Sequence, residues 1–317
     1  TDVLQIESRN INGYLADASS VFIYRRTKAL SSTLPRMVLG SMPKDGGHLL
    51  LNPRERLEIL AEAPDADRYI KRYVGSAEFI NDIERYCLWI PDRDLEDAKS
   101  IPPVQRRLDG VARWRSESAA ATTVDYASYP NRFKQIAYKQ TESILIPAVS
   151  SERRDYVPIG YVSADTVVSN LAFVVYDAEP WLFSLLASRI HNSWLRAVGG
   201  QLETRIRYGA YIVYNNFPVP PIPAGAKGQM TTAALRVLDV REYHCERTLA
   251  ELYDPDLMPD DLRQAHAEVD ALVDSIYSKH GYETDEQRLS DLFAMYEAMT
   301  AAEAANAPAK KTRGARK

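Results

Sequence analysis

The sequence predicts an α+β fold: a mixed-sheet front part over residues 1–222, then a small helical bundle over 223–305. Three observations carry this reading. The first is a break at Phe217–Gly228, FPVPPIPAGAKG, whose four prolines and two glycines cannot continue a helix interior or a central strand. The second is that short apolar runs alternate with polar turns before the break. The third is that long stretches of helical periodicity follow it.

In the front part, Ser143–Val149, Tyr156–Val162, Leu171–Tyr176 and Tyr211–Tyr214 are rich in β-branched and aromatic residues and read as strands. Leu95–Ser100 is a short helix ending before Pro102-Pro103, and Val104–Ser118 has helical spacing. Pro180–Val198 reads as one helix, with Leu182, Leu185, Leu186, Ile190 and Trp194 on its apolar side and Gly199-Gly200 as its stop. No regular strand–helix–strand rhythm appears, which favours α+β over a doubly wound sheet. After the break, Thr231–Leu252, Pro259–His280 and Asp285–Ala305 read as three helices uninterrupted by glycine or proline. Thr284 stands where a cap belongs, and Gly281 follows the second helix. The last residues, 306–317, are small, polar and basic and are expected to be a disordered tail.

Net charge is −4 over 317 residues, but it is unevenly spread. Residues 224–305 hold 7 basic and 17 acidic side chains, whereas residues 1–223 hold 27 and 26. The acidic end thus masks a balanced front, in which arginines cluster at Arg106/Arg107, Arg113/Arg115, Arg153/Arg154 and Arg205/Arg207. Local clusters, not bulk charge, set a surface that faces phosphates. Two cysteines, Cys87 and Cys245, lie far apart and make no metal-ligand spacing, so a reduced, cytoplasmic chain is expected. No apolar run approaches the ~20 residues of a membrane span. The chain opens on Thr1, as a piece of something longer would.

Several chemistries lack their residues. No glycine-rich strand-to-helix turn for a nucleotide or S-adenosylmethionine is present, nor a P-loop. Neither Pro-Pro pair, Pro102-Pro103 or Pro220-Pro221, has the polar and aromatic flanks with which amino-methyltransferases hold an extruded base. Asp92, Glu96 and Lys99 superficially resemble a nuclease metal site, but their spacing suits a charged helix start. The five histidines show no ligand spacing. This chain is therefore read as non-catalytic, holding no metal and no cofactor.

Three stretches offer recognition chemistry instead. Ser150-Ser151-Glu152-Arg153-Arg154 joins two strands and reads as a hairpin tip with two guanidiniums, or as a plain exposed turn. In Gln201–Tyr208, an extended chain would point Glu203, Arg205 and Arg207 one way, presenting one acceptor and two forked donors, or else a solvated strand face. Asn170, between two strands, suits bidentate contact with adenine or simply ends a turn.

Taken in order, PRMVLGSMPKDGGHLLL (35–51), FINDIERYCLWI (79–90), ILIPAVSSERRDYVPIGYV (144–162), the stretch 169–208, VYNNFPVP (213–220), LAELYDP (249–255), MPDDLRQAHAEVDALVDSIY (258–277) and LSDLFAMYEAM (289–299) cover nearly the whole chain. Collinear and numerous, they resemble the target-recognition and C-terminal regions of the MmeI-like DNA methyltransferases, many of them restriction-modification enzymes. The resemblance implies a parent that methylates adenine at defined sites with S-adenosylmethionine, in some members with nuclease activity. In it this region would read double-stranded DNA beside the methyltransferase domain of the same chain. Carried over, Glu203, Arg205, Arg207, Asn170 and Glu152 are expected base contacts, and Ser150, Ser151, Arg153, Arg154 and Lys44 further DNA contacts. Asp82 stands where the family often has glycine. The rival expectation is a protein-binding module with no DNA contact. Gathering of Arg153, Arg154, Arg205 and Arg207 on one concave face separates the two readings.

Overall fold

A computed structural model describes residues 10–15, 17, 18 and 20–306. Of the expected disordered tail over 306–317, Asn306 instead ends the last helix, and 307–317 lie outside the described residues. In chain order the strands are β1 Val38–Leu39, β2 Leu50–Leu51, β3 Ile70–Val74, β4 Tyr86–Leu88, β5 Ser143–Pro147, β6 Val149–Ser150, β7 Gly160–Val162, β8 Thr166–Val168, β9 Ala172–Tyr176, β10 Gly200–Leu202 and β11 Arg205–Arg207. Among the helices, α1 Pro53–Glu62, α2 Ser76–Asn81, α3 Leu95–Lys99, α4 Pro102–Ser116, α5 Ala121–Val124, α6 Pro180–Ala187 and α7 Arg189–Val198 fall in the front part. The remainder, α8 Ala224–Tyr243, α9 Leu249–Leu252, α10 Asp260–Tyr277 and α11 Asp285–Asn306, form the C-terminal helices.

Three small sheets make up the β structure. The antiparallel sheet β1-β9-β5-β7 is central. The sheet β2-β4-β3-β8 is mixed, because β3 and β8 run parallel. The third, β10-β11-β6, is an antiparallel ribbon. Every residue of β5 is buried, and alternation decides where each goes. Ile144 and Ile146 join a large core with α6, α7, α8, α10 and α11, while Leu145 faces the opposite way into a small core with Val74, Val168 and Val174. A separate core packs the mixed sheet against α1 and α4 through Leu51, Tyr73, Leu88, Val104 and Leu108. The α+β class stands as expected.

Several boundaries differ from the sequence reading, each for a local reason. Pro180–Val198 is two helices, because Ser188 takes an extended conformation and caps α7 through its hydroxyl, which accepts from the His191 amide. Tyr211–Tyr214 is not a strand but a turn running into a short 3₁₀ segment, with Tyr214 fully buried. The first long C-terminal helix starts at Ala224, inside the proline-rich break, since Pro223 suits an entry position and buried Met230, Ala234 and Val237 hold the turns that follow. It also ends early, at Tyr243, and Thr248 opens α9 with a capping box to Glu251. Asp82 keeps the left-handed backbone that glycine favours, φ 50°, at the end of α2.

Candidate nucleic-acid interface

β10 and β11 form a tight hairpin with Leu202 opposite Arg205 and Gly200 opposite Arg207. Ile206 is its buried anchor, so Arg205 and Arg207, one residue to either side, both face solvent. Beyond the strand, Tyr208 is buried, and its hydroxyl meets His191 Nε2 at 3.0 Å. The hairpin is thereby rooted in the large core while its tip stands free.

Glu203 does not lie on the same extended face as Arg205 and Arg207. It occupies the two-residue turn with φ 58°, and its carboxylate accepts from Arg205 at 2.8 Å. The two nevertheless share the tip, and both are largely exposed. Such a pair is worth about 0–1 kcal/mol, so either partner can be exchanged for a base edge at little cost.

The Ser150–Arg154 stretch is not a hairpin tip. β6 pairs with β11, with Ser150 opposite Ile206, and β7 pairs with β5 instead. Ser150 is buried, and its hydroxyl takes a long 3.4 Å hydrogen bond from Arg154. The Ser151 hydroxyl accepts from the Arg153 amide at 3.3 Å. Arg196 donates to the carbonyls of Glu152 and Arg154, tying the turn to α7, while the Glu152 side chain is exposed. Arg153 is turned toward the loop between α9 and α10, with Asp256 at 2.5 Å and Asp254 at 4.0 Å. Arg154 is half-buried, and desolvation lowers the pKa of its guanidinium.

Most of the other clustered arginines are also committed internally, whereas Arg113 is exposed. Arg115 is fully buried and donates to the carbonyls of Pro43, Lys44, Tyr126, Tyr129 and Arg132. Arg107 holds the carbonyls of His48 and Leu50 and pairs with Glu55 at 2.7 Å, and Arg106 pairs with Glu62. Lys44 is exposed with φ 50°. Asp92 is taken by Arg132 and Asn131, and Lys99 by Glu96 at 2.7 Å. No cluster of three potential metal ligands occurs among the described residues.

Arg153, Arg154, Arg205 and Arg207 are therefore not gathered on one concave face, contrary to the expectation for base reading: of the four only Arg207 lines a cleft, and Arg153 pairs with Asp256. A cleft of about 1810 Å³ opens between the hairpin, the edge of the central sheet and an irregular segment before β1. Arg25, Lys28, Arg36, Lys139 and Arg207 line it, and no Asp or Glu does. Asn170, half-buried at the bend after β8, also lines it, and its backbone N–H donates to the Ser41 carbonyl. Exposed apolar side chains complete the walls: Leu39, Ile136, Leu171, Leu202 and Tyr211. Of the sequence-predicted residues, the cleft collects Arg207 and Asn170, with Glu203 and Arg205 on the adjoining tip. Ser150, Ser151, Glu152, Arg153, Arg154 and Lys44 are not among its lining. Sequence reasoning missed Arg25, Lys28, Arg36 and Lys139. The run Arg25-Arg26-Thr27-Lys28 was a visible basic signal, but with no periodicity to say which way each side chain points.

Comparison with known proteins identifies the lineage. The description "MmeI, target recognition domain" matches residues 17–221. A second, "MmeI, C-terminal domain", matches residues 222–303. The chain belongs to the MmeI family. The curated DNA methyltransferase A of Bacillus subtilis (strain 168) is 40% identical over 291 residues, 92% of this chain and 33% of that protein. The solved structure of the type IIL restriction-modification enzyme MmeI in complex with DNA superposes with TM-score 0.88 at 38% identity, covering 95% of this chain and 40% of that one. This MmeI-family chain thus spans a third to two-fifths of the length of those relatives. Among its described residues no helix is long and apolar enough to cross a membrane.

Proposed function

We propose that this chain holds duplex DNA in the cation-lined cleft and reads a defined base sequence there, on behalf of a larger site-specific methyltransferase. The carrying observation is the cleft itself: five cations and no carboxylate in its lining, with only Lys139 paired to a carboxylate among the described residues, Asp177 at 3.6 Å, in a chain whose net charge is −4. A duplex presents about one negative charge per 1.7 Å, so a wall with cations and no carboxylates fits its backbone. The family relationship supports the same reading, since its members include a DNA methyltransferase and an enzyme solved with DNA.

Each group has a role that its chemistry fixes. The forked guanidinium of Arg207 donates twice to guanine O6 and N7, and the Asn170 amide matches the adenine edge. Glu203 accepts from a cytosine or adenine amino group once Arg205 releases it. The methyl transfer, which we assign to adenine, belongs to another domain of the parent, with S-adenosylmethionine as its cofactor and the target base extruded into it. The residues described do not fit that cofactor. Gly75 does stand at a strand-to-helix step, between β3 and α2, but the space a side chain would take there is occupied by Ser169 Oγ and Glu78.

The test is selection of duplexes from a random pool by the chain, then binding of the enriched and scrambled sequences. Arg207→Ala is expected to cost about 1–3 kcal/mol on the enriched duplex and to relax preference at one base pair. Equal loss on both duplexes makes Arg207 a phosphate contact, and failure of the unmodified chain to enrich any sequence overturns base reading.

A further inference from the structure

The cleft has a second wall that the hairpin does not supply. Residues 22–36 form an irregular strap across the 3₁₀ segment at Tyr214–Asn216 and the turn before it. Its backbone is pinned at several points. The Arg26 and Leu30 amides donate to the Tyr211 and Asn215 carbonyls. Asn215 Nδ2 donates to the Arg26 carbonyl at 2.8 Å, and Tyr214 Oη to that of Pro35 at 2.8 Å. Buried Asn216 donates to the carbonyls of Tyr24, Tyr211 and Ile212 at 2.9–3.0 Å. The two asparagines of the VYNNFPVP motif therefore fasten the strap.

Fastening sorts its charges. Arg26 turns away from the cleft to pair with Glu303 on α11. Arg25, Lys28 and Arg36 line the cleft, all three exposed and without a carboxylate partner among the described residues. Arg25 is held over the exposed Tyr211 ring at 4.3 Å, which restrains it without neutralising it. Around them lie Thr27, Ala29 and Pro35, with no side-chain carboxylate or amide on the strap's cleft side. A cation alone can read guanine, but three cations with no carboxylate or amide beside them on the strap match a run of phosphates, whose oxygens only accept.

We infer that the strap is a clamp for the phosphodiester backbone, with Arg25, Lys28 and Arg36 contacting phosphates whatever the base sequence. It rests on the DNA-binding reading above and divides that cleft into a reading wall and a holding wall. The experiment measures binding of the full chain to a selected and a scrambled duplex over a range of salt concentrations. Arg25→Ala, Lys28→Ala and Arg36→Ala alter exposed side chains, so folding is checked only by circular dichroism. Each is expected to weaken both duplexes by the same factor and to reduce the slope of log K against log salt by about 0.9. Unchanged slopes in all three variants, with the unmodified chain still binding, overturn the clamp alone. Loss confined to the selected duplex overturns it in favour of base contact. Absence of any duplex binding by the unmodified chain overturns the clamp together with the reading it rests on.

Discussion

Burial holds the imidazole of His191 down to about 3, and that of His266 well below its ordinary value. Each has an unpartnered Nδ1 and an Nε2 against a tyrosine hydroxyl, Tyr208 at 3.0 Å and Tyr253 at 2.7 Å. Unfolding returns both to about 6.5, so below that pH the unfolded chain takes up protons that the folded chain refuses. Stability is therefore lost as pH falls below 6.5, by up to about 1.4 kcal/mol per unit for each histidine. Asp270 opposes this, because burial lifts its carboxyl to about 6 and the folded chain then holds a proton between about 4 and 6 that the unfolded chain releases. Asp274 is raised by burial too and acts in the same sense as Asp270, but the two histidines begin to titrate at higher pH, so urea midpoints should fall from neutral pH to about pH 5. A flat or rising midpoint would contradict the assignment. Arg115 makes a sharper test. Lysine offers three donors where five carbonyls now accept, so Arg115→Lys should cost about 1–3 kcal/mol in urea unfolding at unchanged m-value.

At the scale of elements, caps and turns set where each piece begins and stops. Ser188 separates α6 from α7, and Ser188→Ala should remove about 1 kcal/mol of stability. Calorimetry reads this as a lowered Tm. Asp82 sits in a left-handed conformation that costs an L side chain about 1 kcal/mol, so Asp82→Gly should stabilise by a fraction of that. A lower urea midpoint for that variant would mean that the Asp82 carboxylate, 3.9 Å from Arg72, contributes more than the backbone loses. The hairpin shows the limit of periodicity. Alternation correctly puts Arg205 and Arg207 on one side of Ile206, but the reversal of the chain at Glu203-Thr204 left no mark in apolar spacing. Tyr211–Tyr214 misled for a related reason: its β-branched and aromatic residues serve a buried 3₁₀ turn, where packing overrides strand propensity.

Across the whole molecule, the large core joins the central sheet to the C-terminal helices: Ile144, Val175, Leu182 and Trp194 belong to the same cluster as Val237, Val269 and Phe293. Ion pairs reinforce the joint. Arg189 on α7 meets Asp285 on α11 with two nitrogens, and Arg288 in turn ties α11 to α10 through Asp274 at 2.6 Å. A chain ended at Ile222 would bare much of the apolar surface of α6 and α7. The full chain should accordingly melt in one calorimetric transition, and the shortened one should lose cooperative unfolding. Two separate transitions in the full chain would show that the halves fold independently.

The residues alone determined the fold class, the acidic helical end and the family, since these rest on composition, local periodicity and collinear motifs. They also placed Arg207 and Asn170 among the recognition candidates. Only the tertiary structure decided that Arg115 is spent internally and Arg153 pairs with Asp256, while Arg25, Lys28 and Arg36 face the cleft. A guanidinium carries the same charge in either setting. Whether it meets a carboxylate, a set of carbonyls or open solvent depends on segments far away in sequence, such as Asp256 for Arg153 or Asn216 for the strap.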